Sequence, residues 1–146
     1  MLTRRMTNVK GDRRIKRHLY SSPVKLLLID DEPGITKALK AGLELNGFEV
    51  TTFNDPLEAV ASFKPGAYDI VLTDLRMPGM TGFQVWNHLR KKDRKLKVTF
   101  ISAYDEYTKE FHRLRPSLDD SQFLQKPIAL KKLVERLKLR AAKPEH

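Results

Sequence analysis

The chain contains no cysteine, which excludes disulfide staples, thiolate zinc sites and a cysteine nucleophile. Its apolar runs stop well short of the length that crosses a bilayer, and none follows the basic N-terminus as a secretory signal requires. Histidine is scarce, with four in the chain, and none adjoins the acidic positions described below. A cytoplasmic protein without a membrane span is therefore expected. Seven phenylalanines, one tryptophan and 40% apolar content across 146 residues supply a single core and one compact domain.

Acidic charge is in deficit, and the deficit is local. The first 25 residues hold eight Lys or Arg against one acid, Asp12, and so account for +7 of the net +10. With few apolar residues among them, such a segment cannot bury much surface, so a flexible arm or a marginal helix is expected over residues 1–22. The domain is expected over 23–141, with a short tail at 142–146. Clustered Lys and Arg also permit weak, sequence-independent contact with nucleic acid through this arm.

The stretch that organises the rest runs from Ile70 to Gly82. Its β-branched and apolar residues stop at Asp74, and Pro78 and Gly79 then force a turn, so Asp74 should end a buried strand. An earlier apolar run, Val24 to Ile29, ends in the same way at Asp30-Asp31. If the two strands are parallel neighbours, three carboxylates converge at one edge of a sheet.

Further strands are expected over Phe48–Phe53, Lys97–Ile101 and Gln122–Gln125, with the third over Asp69–Thr73. Helical spacing joins Ile35, Ala38, Leu39, Leu43 and Leu45. A second helix, capped by Asn54 or Asp55, should run from Pro56 to about Lys64, and a third, over about 82–91, carries Phe83, Val85, Trp86 and Leu89. Tyr107, Phe111 and Leu114 suggest a fourth, and Leu130, Leu133, Val134, Leu137 and Leu139 a fifth. Strands alternating with helices predict an α/β fold, a five-stranded parallel sheet covered on both faces. In such sheets ligands collect at the carboxyl ends of strands. Asp30, Asp31, Asp74, Ser102 and Lys126 all fall there.

Crowded carboxylates repel one another, and a hard divalent cation is the usual remedy. Oxygen donors with no His or Cys beside them favour Mg2+ over zinc. Lys126 and the Ser102 hydroxyl could contact the oxygens of a phosphoryl group, leaving Asp74 as the nucleophile.

These residues carry a resemblance to the response-regulator receiver domain of two-component signalling, a flavodoxin-like (βα)5 fold, over roughly residues 23–140. The motifs are Ile29-Asp30-Asp31-Glu32-Pro33, then Thr73-Asp74-Leu75-Arg76-Met77-Pro78-Gly79-Met80-Thr81-Gly82, then Ser102-Ala103 and Lys126-Pro127. The resemblance implies Asp74 as phosphoacceptor and Asp31 and Asp74 as direct Mg2+ ligands. Asp30 would act through a metal-bound water and Arg76 through its backbone carbonyl. It also implies a cis Lys126-Pro127 bond that aims the ammonium into the site. Ser102 and Phe123 would be the switch pair, though Phe123 also reads as a core phenylalanine that never moves.

Two departures stand out. Residues 104–121 hold Arg115-Pro116-Ser117 and Asp119-Asp120 where the family often has small residues, so the fourth helix and the output face beside it should differ in shape. Arg76 and Tyr104 add bulk beside the site, from which a shielded, comparatively long-lived acyl phosphate is expected.

The reading is a signalling module and not an enzyme acting on other molecules. It takes phosphate from a histidine kinase or phosphotransfer protein, and few residues follow Leu139, so output should pass through a protein partner, a phosphorelay or a homodimer. Two other readings are a nucleic-acid-associated regulator that binds through the arm and a Mg2+-dependent phosphatase. The phosphatase is the weaker reading, because Arg76 stands where such hydrolases place a second Asp. His88 reads as a partly exposed helical side chain and Trp86 as core.

Overall fold

The computed structural model describes residues 22–103 and 122–142. The elements run β1 (Val24–Ile29), α1 (Pro33–Glu44), β2 (Phe48–Phe53), α2 (Pro56–Ser62), β3 (Ile70–Asp74), α3 (Gly82–Lys92), β4 (Lys97–Ser102), β5 (Phe123–Gln125) and α4 (Leu130–Ala142). The expected helix through Tyr107, Phe111 and Leu114, and the departures at 104–121, lie outside the described residues. So does the arm up to residue 21.

All five strands are parallel, in the order β2-β1-β3-β4-β5. A sheet covered on both faces wants strands that are apolar on both sides, and β1 and β3 answer with the apolar runs Leu26–Ile29 and Ile70–Leu72. Alternate side chains divide the core in two. Leu27, Ile29, Val71, Val98 and Phe100 pack with Ala59 and Phe63 of the α2 segment and Val85, Trp86 and Leu89 of α3. Leu26, Leu28, Ile70, Leu72 and Ile101 pack with Leu43 of α1 and Leu133, Val134 and Leu137 of α4. Strand order reverses between β1 and β3, so the crevice for a ligand lies at their carboxyl ends.

Several local expectations are corrected. Leu45 is 87% exposed, because α1 ends at Glu44 and Leu45 is its C-cap. Leu139 is 65% exposed: it follows Leu137 by two residues, about 200° around the helix, and so points away from the sheet. Thr36 is buried instead, its hydroxyl donating to the Pro33 carbonyl at 3.1 Å. Helix α2 stops at Ser62, and Phe63 turns extended (φ −65°, ψ 136°), with its side chain in the core. Strands β3 and β4 each reach one residue further than expected, so Asp74 and Ser102 are the last residues of their strands.

Candidate functional site

The parallel pairing of Ile29 with Thr73 sets Asp30 beside Asp74 in register. Asp30 and Asp74 are 1% and 8% exposed, while Asp31 is half-buried. Each of the three offers an oxygen lying within 4.8 Å of the others. Lys126 Nζ reaches in from the end of β5 and donates to Asp30 Oδ2 and Asp74 Oδ2, both at 3.1 Å. Its backbone N–H donates to the Ser102 carbonyl at 2.7 Å, which ties the lysine to the end of β4. The Lys126-Pro127 bond is cis, as the resemblance implies.

Backbone donors fix the other carboxylate oxygens. Asp30 Oδ1 accepts from the Glu32 N–H at 3.0 Å, and Asp74 Oδ1 accepts from the Arg76 N–H at 3.4 Å. The Arg76 backbone therefore lies against the Asp74 carboxylate while its side chain is exposed. Ser102 is 1% exposed at the end of β4. Phe123 lies inward, stacked on Phe100 with centroids 5.1 Å apart and edge-on to Phe83 at 6.2 Å. The structure thus brings Asp30, Asp31, Asp74 and Lys126 together, with Ser102 adjoining them. Tyr104, the second bulky neighbour, lies outside the described residues.

One ammonium serves two buried carboxylates, and the protonation balance reflects it. Burial pushes Asp74 above the ordinary carboxylate value, Lys126 opposes this by charge and hydrogen bond, and the Asp30 charge adds to the rise. Burial acts to lower Lys126, but the hydrogen bond to Asp30 and the charges of both carboxylates outweigh it, so the ammonium stays protonated beyond its ordinary range. The pair is real but incomplete: three carboxylates face one cation.

A further cation fits this shortfall. The donors are all hard oxygens, and they lie within 4.8 Å of one another, close enough to share one divalent cation. Helix α1 and the loop before it are held by Asn54, whose amide donates to the Asp30 carbonyl at 2.8 Å and to Thr36 Oγ1 at 3.0 Å. Asp55, not Asn54, caps α2 by accepting from the Leu57 N–H at 2.9 Å.

In the sequence Asn54 reads as a turn former or a candidate helix cap, and the role it takes depends on β2 lying beside β1. Gly82 has a comparable hidden role. A Cβ there would run into the Asp74 carbonyl, and the Gly82 N–H donates to the Leu75 carbonyl at 2.9 Å. Just before it, Thr81 and Gln84 form a reciprocal cap that starts α3. The loop after Asp74 is closed by a glycine that no side chain can replace without displacing the strand end.

A family model for the response regulator receiver domain matches residues 26–138. The chain belongs to that family. Among solved structures, the non-phosphorylated HemR receiver domain from Leptospira biflexa superposes with a TM-score of 0.69 at 28% identity, covering 84% of this chain and 99% of its own. The Thermotoga maritima response regulator TrrA, solved in complex with Mg2+-BeF, gives 0.64 at 30% identity and covers 80% and 97%. The transcriptional regulatory protein TrcR of Mycobacterium tuberculosis is 32% identical over 117 residues, 80% of this chain and 45% of that protein. Response regulator MprA of Mycobacterium bovis is 31% identical over 124 residues, 84% and 53%. The receiver domain thus spans about half the length of these curated relatives. Its family is a signalling module of two-component systems and not a conventional enzyme, and no described helix is long and apolar enough to cross a membrane.

Proposed function

We propose that this receiver accepts a phosphoryl group on Asp74 from the phosphohistidine of a histidine kinase or phosphotransfer protein, in a Mg2+-dependent reaction. The observation that carries the reading is Lys126 Nζ bridging Asp30 and Asp74 at 3.1 Å each, with Asp31 in the same cluster. An Asp74 carboxylate oxygen attacks phosphorus, the P–N bond breaks, and the departing imidazole nitrogen takes up a proton. Mg2+ would be held directly by Asp31 and Asp74, with Asp30 acting through water and the Arg76 carbonyl as the further protein donor. When bound, the cation would offset the charge that builds on the phosphoryl oxygens.

The chain's own groups do the rest. Lys126, already donor to Asp74, follows the charge onto a phosphoryl oxygen, and Ser102 donates from the neighbouring strand end. Phe123 then exchanges between its inward position and an outward one and reports the change to a protein partner or a second copy. The Mg2+-BeF complex of TrrA supports the cation and phosphoryl placement by analogy. The boundaries proposed are a basic extension at 1–22, the receiver at 23–141 and a tail at 142–146. With Arg76 two residues past Asp74, the phosphate is shielded, so its lifetime in Mg2+ should exceed seconds.

Acetyl phosphate and Mg2+ should add the mass of one phosphoryl group to the intact protein, and neither Asp74→Asn nor wild type in EDTA should gain it. An unlabelled wild type, or a labelled Asp74→Asn, would overturn the assignment.

A further inference from the structure

The amino edge of the sheet, opposite the acidic cluster, carries a run of positive charge that the phosphoryl site does not use. From the last turn of α3 to the first residue of β4 stand Arg90, Lys91, Lys92, Arg94, Lys95 and Lys97, with Asp93 as the single acid. All six bases are exposed except Lys97, which is half-buried. Local structure explains part of this. Arg90, Lys91 and Lys92 occupy the last turn of α3, where cations offset the helix dipole, and Lys92 Nζ also donates to the Val60 carbonyl at 3.3 Å. Arg94 and Lys95 lie beyond the helix, where the dipole gives no reason for them.

Asp93 does not neutralise the run. One of its oxygens accepts from the Gly66 N–H at 2.8 Å and the other from the Lys95 N–H at 3.0 Å. These bonds hold the loop bearing Lys64 beside the turn. Nearby Asp69 is likewise engaged by the Lys25 N–H at 2.8 Å. Among the described residues the ion pairs are Lys40 with Glu44 and Lys126 with Asp30 and Asp74, so Arg90, Lys91, Arg94 and Lys95 face water.

Strand β1, which follows the basic N-terminal segment in the sequence, starts at the same edge. The Asp69 N–H donates to the Lys25 carbonyl at 2.8 Å, and the Lys97 N–H to the Asp69 carbonyl at 3.3 Å, which aligns the starts of β1, β3 and β4. Residues 1–21, with seven Lys or Arg and one acid, precede this strand start in the sequence.

We propose that this edge docks the phosphate backbone of a nucleic-acid duplex without sequence preference. Cations spread along an edge, rather than converging on a point, match a repeating anion better than a single small one. The exposed large apolar side chains of the described residues are Leu45, Leu57, Leu130 and Leu139. None is aromatic, and half-buried Tyr68 at this edge is stacked on Phe63 with centroids 6.0 Å apart, so among the described residues the edge has no fully exposed platform for stacking single-stranded bases. None lies in the run, so it has no apolar anchor of the kind that seats a basic segment in a lipid surface.

The test uses the full chain and a fluorescent random-sequence duplex, with anisotropy read between about 50 and about 200 mM salt. Wild type should bind at low salt with affinity that falls steeply as salt rises. The triple variant Lys91→Gln/Arg94→Gln/Lys95→Gln should bind about tenfold or more weakly, with a log–log salt slope shallower by roughly two to three. The exchange Arg94→Lys/Lys95→Arg should keep wild-type binding, because charge and not shape is read. Phosphoryl uptake, followed in parallel, should match wild type in every variant, and melting temperature should differ only by the small gain at low salt that thinning a like-charged run brings. A triple variant with wild-type affinity and slope would overturn the proposal by assigning all binding to the arm. So would no binding by wild type at low salt, or binding to phosphatidylserine vesicles in its place.

Discussion

The two ends of the sheet treat charge in opposite ways. At the carboxyl end, side chains pair with side chains: Lys126 spans Asp30 and Asp74, all of them withdrawn from water to some degree. At the amino end, charged groups stitch backbone. Asp93 holds Gly66 and Lys95, Asp69 holds Lys25, and Lys97 Nζ donates to the Ala141 carbonyl at 3.2 Å. The amino end has more charges, yet each interacts through high-dielectric surroundings that weaken it. The carboxyl end has few, but there each removal leaves a buried partner exposed to an uncompensated field. Counting charges along the chain therefore ranks the two ends in the wrong order for energy, while ranking them correctly for long-range attraction.

The largest effect expected from this contrast follows from removing its one central cation. Lys126→Met leaves two buried carboxylates without their shared partner, and should destabilise the metal-free protein by roughly 3 kcal/mol. Mg2+ should restore much of that loss, since an ion bound only to the folded state at a hundred times its dissociation constant stabilises by about 2.7 kcal/mol. Urea melts with Mg2+ and with EDTA would check both parts. A variant as stable as wild type in EDTA would show that the carboxyl end is no more sensitive than the amino end.

Next in size is a pH effect at the same place. Asp74 is raised above its ordinary value, mainly by burial, so between the unfolded and folded pKa the native state holds more protons than the unfolded one. Stability contributed by this group is then present below the ordinary value of 3.8 and is lost as pH rises through the folded value. The stability of wild type minus that of Asp74→Asn, measured in EDTA, should fall as pH rises from acid toward neutral. A difference that rises or stays flat would reverse the assigned balance between burial and Lys126.

Much of the carboxyl end is legible in the sequence because strand chemistry and site chemistry meet at single residues. A buried parallel strand must be apolar on both faces, so the acid that ends it at Asp30 or Asp74 stands out against the run, and Ser102 and Lys126 mark the other strand ends. Strands β1 and β2 are readable residue by residue for the same reason. What escapes is whatever depends on two segments meeting. Asn54 reads as a turn former until β2 lies beside β1, and Gly82 as a helix start until the Asp74 carbonyl packs on it. Leu45 and Leu139 fit an apolar count but not the helix end or helix face they occupy. The bases at 90–97 form an edge only because the starts of β1, β3 and β4 align.

Asn54→Ala tests whether the carboxyl end depends on neutral bonds as well as charged ones. It removes the amide that the Asp30 carbonyl and Thr36 Oγ1 accept from, and should cost about 1 kcal/mol. Because the loop carrying Asp30 and Asp31 loses a tether, the Mg2+-induced rise in melting temperature should shrink as well. An unchanged Mg2+ response would confine Asn54 to ordinary loop stability.

The smallest effect belongs to the amino end, and it is the sharpest check on the contrast. Arg94→Gln and Lys95→Gln each delete a full charge from an exposed side chain that lacks an ion-pair partner among the described residues. Each should change stability by no more than about 0.5 kcal/mol. The sign should favour the variants slightly at low salt, because thinning a like-charged run relieves repulsion, and the gain should vanish as salt screens it. Melting curves at two ionic strengths read both features at once. A loss above 1 kcal/mol in either variant would mean that these side chains hold the turn together, and the division into a structural and a solvated end would fail at that residue.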